Sequence, residues 1–290
     1  MSTTQLAIVA VLATLSCSSD ALGRPLEDPL TKPIISTRTA EWLAPAPPQK
    51  IFGNSFLVGF GGLSVVLIDT GAGLILIDGA LPQAAPAILE NVRRLGFRPR
   101  DIKYILSTEP HFDHAGGIAA LARDTGATVI ASPQGAQGLL SGRHATDDPQ
   151  HGYGGSWPAV AKVKTIGGNE TLKLGKTVIT ALSTPGHTMG SMSWRWNSCE
   201  QRVCKSVVFA ASLNPVSTDD YRYSALTARP IVAGFLKSYV TMRKTPCDIL
   251  ITAHPDNAGA DRYNSSAGSC RAYAERSRKA LDKRLESEQR

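Results

Sequence analysis

The chain has 290 residues, of which 42% are hydrophobic and 19% charged, a composition typical of a globular protein with a full core and not of a disordered or fibrous one. The formal net charge is +7, but much of the basic excess lies within residues 271–290, where acidic side chains alternate with basic ones at helical spacing. Such a mixed stripe is typical of a solvated helix face, so we expect no nucleic-acid partner.

The N-terminal region predicts an exported protein. Leu6–Leu15 is almost wholly apolar, too short to span a bilayer but of the length of a signal-peptide core, and small residues precede Arg24. The predicted division is a signal peptide over residues 1–23, an extended arm over 24–48 and one domain over 49–290. We therefore expect a periplasmic protein with no membrane contact after cleavage, and lipid attachment at Cys17 is the alternative.

From residue 56 onward, strand and helix patterns follow one another along the chain. Strands are predicted where aliphatic and β-branched residues run together, and helices where apolar residues recur every three or four positions. The predicted strands are 56–60, 63–69, 74–78, 102–107, 128–131, 171–174, 178–183, 191–196, 206–210 and 248–252. The predicted helices are 85–95, 118–122, 134–140, 231–242 and one at the C-terminus, with a Gly-rich loop over 147–157.

The two halves of this pattern have the same order, strands first and a helix after. The order predicts an α/β fold in which two sheets pack face to face with helices on the outside.

Four cysteines remain once Cys17 is set aside, and an even number in an exported chain indicates disulfide bonds. Four cysteines allow three pairings. Cys199 and Cys204 lie between two predicted strands, so a bond between them would close a hairpin, and Cys247 would then pair with Cys270. Free buried thiols remain the alternative.

The chain's potential metal ligands concentrate after predicted strands, where α/β folds bind ligands. Four fall within the six residues 109–114, just after the strand at 102–107, and two more histidines directly follow later strands. These donors are Glu109, His111, Asp113, His114, His187 and His254. The extended backbone and the turn that follows it present the first four in two directions, which suits two neighbouring ions. Nitrogen and oxygen donors without thiolate favour zinc, with manganese or iron as the alternatives. The other loop histidines, His144 and His151, are interpreted as ordinary polar turn residues.

Three motifs carry a resemblance to a known family. Glu-x-His-x-Asp-His at 109–114, Pro-Gly-His-Thr-x-Gly-Ser at 185–191 and Ala-His-Pro at 253–255 resemble the metallo-β-lactamase superfamily. The resemblance implies a four-layer αβ/βα sandwich with a dinuclear zinc site. Within that superfamily, the chain resembles the third subclass of class B β-lactamases in Leu76–Gly79, in Ala210–Pro215 and in the placement of its last two cysteines.

The resemblance also implies a ligand set of two zinc ions per chain. The first ion would be held by Glu109, His111 and His187, and the second by Asp113, His114 and His254. Glu109 stands where the common motif of the family has histidine, so we expect the first position to depend more strongly on zinc supply. The alternative is that Glu109 is a surface carboxylate and the first site is poorly formed.

The function implied by the resemblance is hydrolysis of small-molecule β-lactams by a zinc-activated hydroxide, which would confer resistance to carbapenems, cephalosporins and penicillins. Glyoxalase-type and lactonase-type relatives carry a metal-bridging carboxylate where this chain has Ser212, so the resemblance favours β-lactams over thioesters or lactones. Asp113 is the expected catalytic residue, because it would orient the nucleophile. The alternatives are a lactone or thioester hydrolase of the same superfamily and a metal-binding relative without turnover.

Four further residues are expected to contact the substrate. Ser212 and Asn214 would hold its carboxylate, directly or through water, with turn formation as their alternative role. Tyr153 and Trp157 would form an apolar wall of the cleft, with core or loop packing as the alternative. We expect the protein to be a monomer.

Overall fold

Two β-sheets lie face to face between helices in the computed structural model, which describes residues 27–259 and 262–290. The predicted signal peptide and Cys17 lie outside the described residues. The first sheet consists of β1 (Gln49–Phe52), β2 (Ser55–Leu57), β3 (Val66–Asp69), β4 (Leu74–Ile77), β5 (Ile102–Leu106), β6 (Thr128–Ala131) and β7 (Val163–Thr165). The second consists of β8 (Thr171–Leu174), β9 (Thr177–Ser183), β10 (Met192–Glu200), β11 (Val203–Ala210) and β12 (Ile249–Thr252).

In the part of the chain that the structure describes, seven α-helices accompany these strands, together with short 3₁₀ turns. The helices are α1 (Thr39–Trp42), α2 (Ala85–Arg94), α3 (Phe112–Ala115), α4 (Ile118–Thr125), α5 (Pro133–Ser141), α6 (Arg229–Lys244) and α7 (Ser269–Ser287). The first sheet keeps the sequence order β1 to β7, antiparallel as far as β4 and parallel from β4 to β7. The second has the order β12-β11-β10-β9-β8, with β11 and β12 parallel.

Three apolar layers hold the sheets and helices together. In β4, Leu74 and Leu76 pack toward the helices of the first sheet, whereas Ile75 and Ile77 pack toward the second sheet. A strand buried on both faces reads as a continuous apolar run, which is why this strand was predictable. On the far side of the second sheet, Phe235 of α6 and Tyr273 of α7 contribute to a third layer. The predicted four-layer αβ/βα sandwich is confirmed.

The clearest differences from the predicted elements lie in short or exposed segments. Strands β1 and β7 and helix α1 were not predicted, because three- and four-residue segments with exposed polar positions carry little periodic signal. The β10–β11 hairpin is also longer than expected. Its strands continue past the last apolar residues to a pair formed by Cys199 and Cys204. Both predicted disulfide bonds are present, Cys199–Cys204 and Cys247–Cys270.

The arm predicted as extended includes the helical turn α1 and is fastened to the first sheet's helices. Asp28 forms an ion pair with Arg123 at 2.7 Å, and Gln83 exchanges two hydrogen bonds with the backbone of Ile34. These contacts bring Trp42 into a buried position beside the C-terminal ends of the strands. Within residues 27–259 and 262–290, no helix has the length and apolar character that crossing a membrane would require.

Candidate metal centre

The predicted metal donors lie on segments that leave the C-terminal ends of three strands. After β5 a short bent segment carries Glu109 and leads to His111, which is the N-cap of α3 and has an extended backbone. Asp113 follows in that helix. His187 follows β9, and His254 follows β12. The backbone before His187 needs glycine. Gly186 has a φ of +134°, and a Cβ there would lie 2.6 Å from the ring of Phe235.

The structure brings the six donors together as two adjacent groups. The donor atoms of each group lie within 4.8 Å of one another, and the groups are Glu109, His111, His187 and Asp113, His114, His254. In the second group, His114 Nε2 is 3.3 Å from Asp113 Oδ2 and 3.2 Å from His254 Nε2. His254 Nε2 is also 3.3 Å from Asp113 Oδ2. These spacings suit side chains that converge on one ion.

Oxygen acceptors fix the orientation of three of the four imidazole rings. His111 donates from Nε2 to Asp148 at 3.0 Å, His187 donates from Nδ1 to the carbonyl of Asn214 at 2.8 Å, and His254 donates from Nδ1 to the carbonyl of Gly62 at 3.2 Å. With that nitrogen protonated, the other nitrogen of each neutral ring carries a lone pair that can bind a metal. Such hydrogen bonds select the tautomer and aim the ligand.

Glu109 is fully buried and is held by Ser212 through both of its oxygens. The Ser212 backbone N–H donates to Oε2, and the Ser212 hydroxyl donates to Oε1, both at 2.8 Å. Glu109 is thus not a surface carboxylate, which removes one alternative. Because the carboxylate has further lone pairs on each oxygen, these bonds leave it able to bind a metal.

At His114 and Asp113, the charges of neighbouring residues outweigh burial in setting the pKa. Burial favours a neutral His114, but Asp113 and Glu109 beside it raise the pKa of that imidazole to about 10. Burial likewise disfavours ionised Asp113, yet the charge of His114 and hydrogen bonds from His114 and His254 hold the pKa of Asp113 well below its usual value. Burial dominates at Asp78, whose pKa it raises to about 7. The buried carboxylates Asp113 and Glu109 are therefore balanced by the proton on His114, and a bound metal ion could take the place of that proton.

Residues 51–195 match the family described as the metallo-β-lactamase superfamily. A solved B3 metallo-β-lactamase with an active-site glutamic acid is 66% identical, with a TM-score of 0.90, and the match covers 91% of this chain and 99% of that one. The chain belongs to the metallo-β-lactamase superfamily. Its solved neighbours include subclass B3 metallo-β-lactamases.

Two more relatives of this superfamily member show how far the similarity extends. The Rm3 metallo-β-lactamase is 38% identical with a TM-score of 0.84, and the match covers 88% of this chain and 100% of that one. The uncharacterised protein YobT of Bacillus subtilis (strain 168) is 29% identical over 150 residues, which are 50% of this chain and 62% of YobT. The similarity to the solved structures thus extends over nearly the whole fold, whereas the similarity to YobT covers half of the chain.

A cavity of about 220 Å³ opens over the two metal groups of this metallo-β-lactamase superfamily member. Tyr153 lies at its edge, 42% exposed, with its ring 5.8 Å from that of Phe112. Trp157 is 5% exposed, packs in the core of the first sheet's helical layer, and is not among the residues that line the cavity. The expected substrate contact of Trp157 is therefore corrected to its alternative, core packing.

Ser212 and Asn214 both line the cavity, as expected for substrate-binding residues. Their polar groups are already engaged within the protein. Ser212 bonds to Glu109, and the Asn214 amide donates to Asn257 at 2.8 Å and accepts from Ser277 at 3.3 Å. The role of these two residues toward a substrate remains a prediction.

The Gly-rich loop contributes residues that the sequence did not single out. Asp148 is buried against His111, and the Gln150 amide lies 3.0 Å from His187 Nε2 and 3.4 Å from His111 Nδ1. His144, interpreted as an ordinary turn residue, is buried next to His111 and donates from Nδ1 to the Gln150 carbonyl at 2.8 Å. The acidic pair Asp147-Asp148 inside the Gly-rich loop is the sequence feature that could have indicated a carboxylate partner for His111.

The N-terminal arm supplies a second unforeseen part of the cavity. Arg38 and Trp42 line it, and the Trp42 ring lies 5.7 Å from His254 and 5.9 Å from Phe112. Arg38 is paired with Glu41 at 2.7 Å and lies over the Trp42 ring. The arm thus forms one wall of the cavity above the second metal group.

Proposed function

We propose that this chain is a zinc-dependent hydrolase that opens the β-lactam ring of carbapenems, cephalosporins and penicillins. The observation that carries the proposal is the pair of adjacent three-residue metal groups on the floor of one cavity. The 66% identity to a B3 metallo-β-lactamase with an active-site glutamic acid supports the same function.

The donor chemistry fits zinc. The two groups offer imidazole nitrogen and carboxylate oxygen and no thiolate, a set that zinc accepts readily. When bound, zinc would supply a Lewis acid for the lactam carbonyl and would lower the pKa of water to about 7. Glu109, His111 and His187 would hold the first ion, and Asp113, His114 and His254 the second.

Asp113 is the residue best placed to orient the attacking water. It belongs to the second metal group, lines the cavity and is kept ionised by His114 and His254, even though it is buried. An ionised carboxylate only accepts hydrogen bonds, so it can hold one proton of the water and direct the oxygen lone pair at the substrate.

The cavity walls suit a small anionic amide. Phe112, Tyr153 and Val216 present apolar surface, and Ser212 and Asn214 present polar groups. Because the side chains of Ser212 and Asn214 already have protein partners, we propose that they meet the substrate carboxylate mainly through bridging water.

We further propose that the protein is exported as a monomer and confers antibiotic resistance in the periplasm. The apolar segment at Leu6–Leu15 and the two disulfide bonds support export, because disulfides persist in oxidising compartments. Cell fractionation tests the location, sedimentation tests the monomer, and growth of a susceptible strain carrying the gene tests resistance. Recovery of the mature protein from the membrane fraction would instead favour the lipid anchor at Cys17.

The decisive experiment follows the loss of ring absorbance of a carbapenem and a cephalosporin with the purified protein. We expect hydrolysis that stops after dialysis against a chelator and returns with zinc. Activity that persists in the chelator would reject a metal-dependent reaction. Turnover of lactones or thioesters without turnover of β-lactams would favour the other superfamily activities, and metal binding with no turnover would favour a non-catalytic role.

A further inference from the structure

Glu109 lies close to both metal groups. Its Oε1 atom is 3.6 Å from His187 Nε2, within its own group, and 3.2 Å from His114 Nε2, in the second group. The same oxygen therefore lies between the two groups and is closer to His114 of the second group than to His187 of the first.

The second group has the spacing of a site to which this oxygen could belong. Four bonds of about 2.0–2.1 Å arranged as a tetrahedron place neighbouring ligand atoms about 3.3–3.4 Å apart. His114 Nε2 lies 3.3 Å from Asp113, 3.2 Å from His254 and 3.2 Å from Glu109. Seen from His114, Glu109 has the separation expected of a fourth ligand.

Ser212 fixes the carboxylate in this intermediate position. The two hydrogen bonds from Ser212 reach both oxygens of Glu109, and both side chains are buried, so the carboxylate has little freedom to turn toward one group. Ser212 is itself on rigid backbone just beyond β11, where Ala211 donates its N–H to the Ser193 hydroxyl at 3.0 Å.

We propose that Glu109 is shared by both metal positions and that Ser212 is the positioning residue that keeps it there. The second position then has four protein donors, whereas the first has only His111 and His187 that are not shared. This inference rests on the proposed dinuclear zinc function. It assigns to Glu109 a role that a residue serving the first ion alone would not have.

The test is a stepwise zinc titration of the metal-free full-length mature protein against a chromophoric chelator. Glu109→Gln keeps the shape of the side chain and should weaken both binding steps, each by about tenfold or more. His187→Ala, which removes a ligand of the first group alone, should weaken only the weaker step. Thermal melting followed by circular dichroism establishes that each variant is folded.

Ser212→Ala separates positioning from ligation, because it removes a hydroxyl and leaves every metal donor in place. In the native background we expect both zinc steps to weaken by about 3- to 10-fold, somewhat below the usual effect of losing a partner of a metal ligand. In a Glu109→His background the same substitution should leave the tighter step unchanged. An equal effect in both backgrounds would overturn the positioning role.

The sharing is overturned if Glu109→Gln resembles His187→Ala and leaves the tighter zinc constant within about twofold of the native value, a change too small for a lost ligand. That result would leave the proposed function intact, since the native protein could still bind two ions and open β-lactams. Conversely, two zinc ions bound as proposed without any β-lactam hydrolysis would reject the function and retain the sharing.

Discussion

The two metal groups of this protein are built in different ways. Asp113 and His114 of the second group are consecutive residues of the short helix α3, and His254 directly follows strand β12. All three of their mutual contacts are 3.2–3.3 Å. The first group depends instead on a Gly-rich loop, because His111 takes its orientation from Asp148 and faces the Gln150 amide.

This difference in construction predicts a difference in how sensitive the two metal positions are to substitution and to zinc supply. A group anchored on regular elements keeps its geometry with few outside contacts, whereas a group supported by a loop depends on each contact that the loop makes. We therefore expect the second position to be the robust one and the first to be the position at which zinc supply and loop substitutions act.

The largest expected effect comes from Asp113, in the robust group. Asp113→Ala should lower kcat for a cephalosporin by roughly 10²- to 10⁴-fold even at saturating zinc, because the orienting carboxylate is lost. Steady-state kinetics over a range of zinc concentrations measures this. The isosteric Asp113→Asn is the matched control for cavity formation, and near-normal rates in both variants would remove Asp113 from the mechanism.

The next effect tests the dependence of the first group on its loop. Asp148→Asn removes the charge that orients His111 and should weaken the weaker zinc step by about 10- to 100-fold while leaving the tighter step unchanged. The exposed neighbour gives a matched control, since Asp147→Asn changes the same net charge without touching the site. Equal effects of the two substitutions would mean that only the overall charge matters.

A third prediction concerns protons at the second group. The pKa of His114, raised to about 10 by Asp113 and Glu109 against the effect of burial, leaves the imidazole protonated at neutral pH before metal binds. Ligation requires the neutral ring, so zinc affinity should rise with pH, by up to about tenfold per unit between pH 7 and 9. Calorimetry of zinc binding in two buffers of different ionisation enthalpy should show that a proton is released when the tighter ion binds. If no proton is released, His114 is not protonated in the metal-free protein.

The smallest effect is expected at the rim of the cavity. Tyr153 is partly exposed and offers one apolar contact, so Tyr153→Ala should raise KM by about two- to tenfold with kcat and both zinc constants unchanged. Tyr153→Phe keeps the ring and should behave as the native protein. A change in the weaker zinc constant would show instead that Tyr153 supports the loop and not the substrate.

The sequence was most informative where chemistry and strand ends coincide. The six donors could be predicted because each follows a recognisable apolar strand within a compact motif, and the strands themselves are continuous buried runs such as Leu74–Ile77. The residues that hold those donors in place could not be predicted. Ser212 meets Glu109 across 103 positions and Asp148 meets His111 across 37, and no local pattern encodes such contacts.

The aromatic residues of the Gly-rich loop illustrate the same limit. Tyr153 and Trp157 are four positions apart among glycines, and composition does not determine which ring turns inward. The structure places Trp157 in the core and Tyr153 at the rim. Similarly, nothing local in the arm indicates that Trp42 ends beside His254.

That position of Trp42 has a practical consequence for where the catalytic unit begins. The family match starts at residue 51, but the indole beside His254 comes from upstream, on a segment tied down through Asp28 and Ile34. A gene whose start is trimmed to residue 51, with its end left in place, would still encode every metal donor. It would yield a cleft missing one side, so any inhibitor fitted to such a shortened protein would be shaped for a wider opening than the natural one.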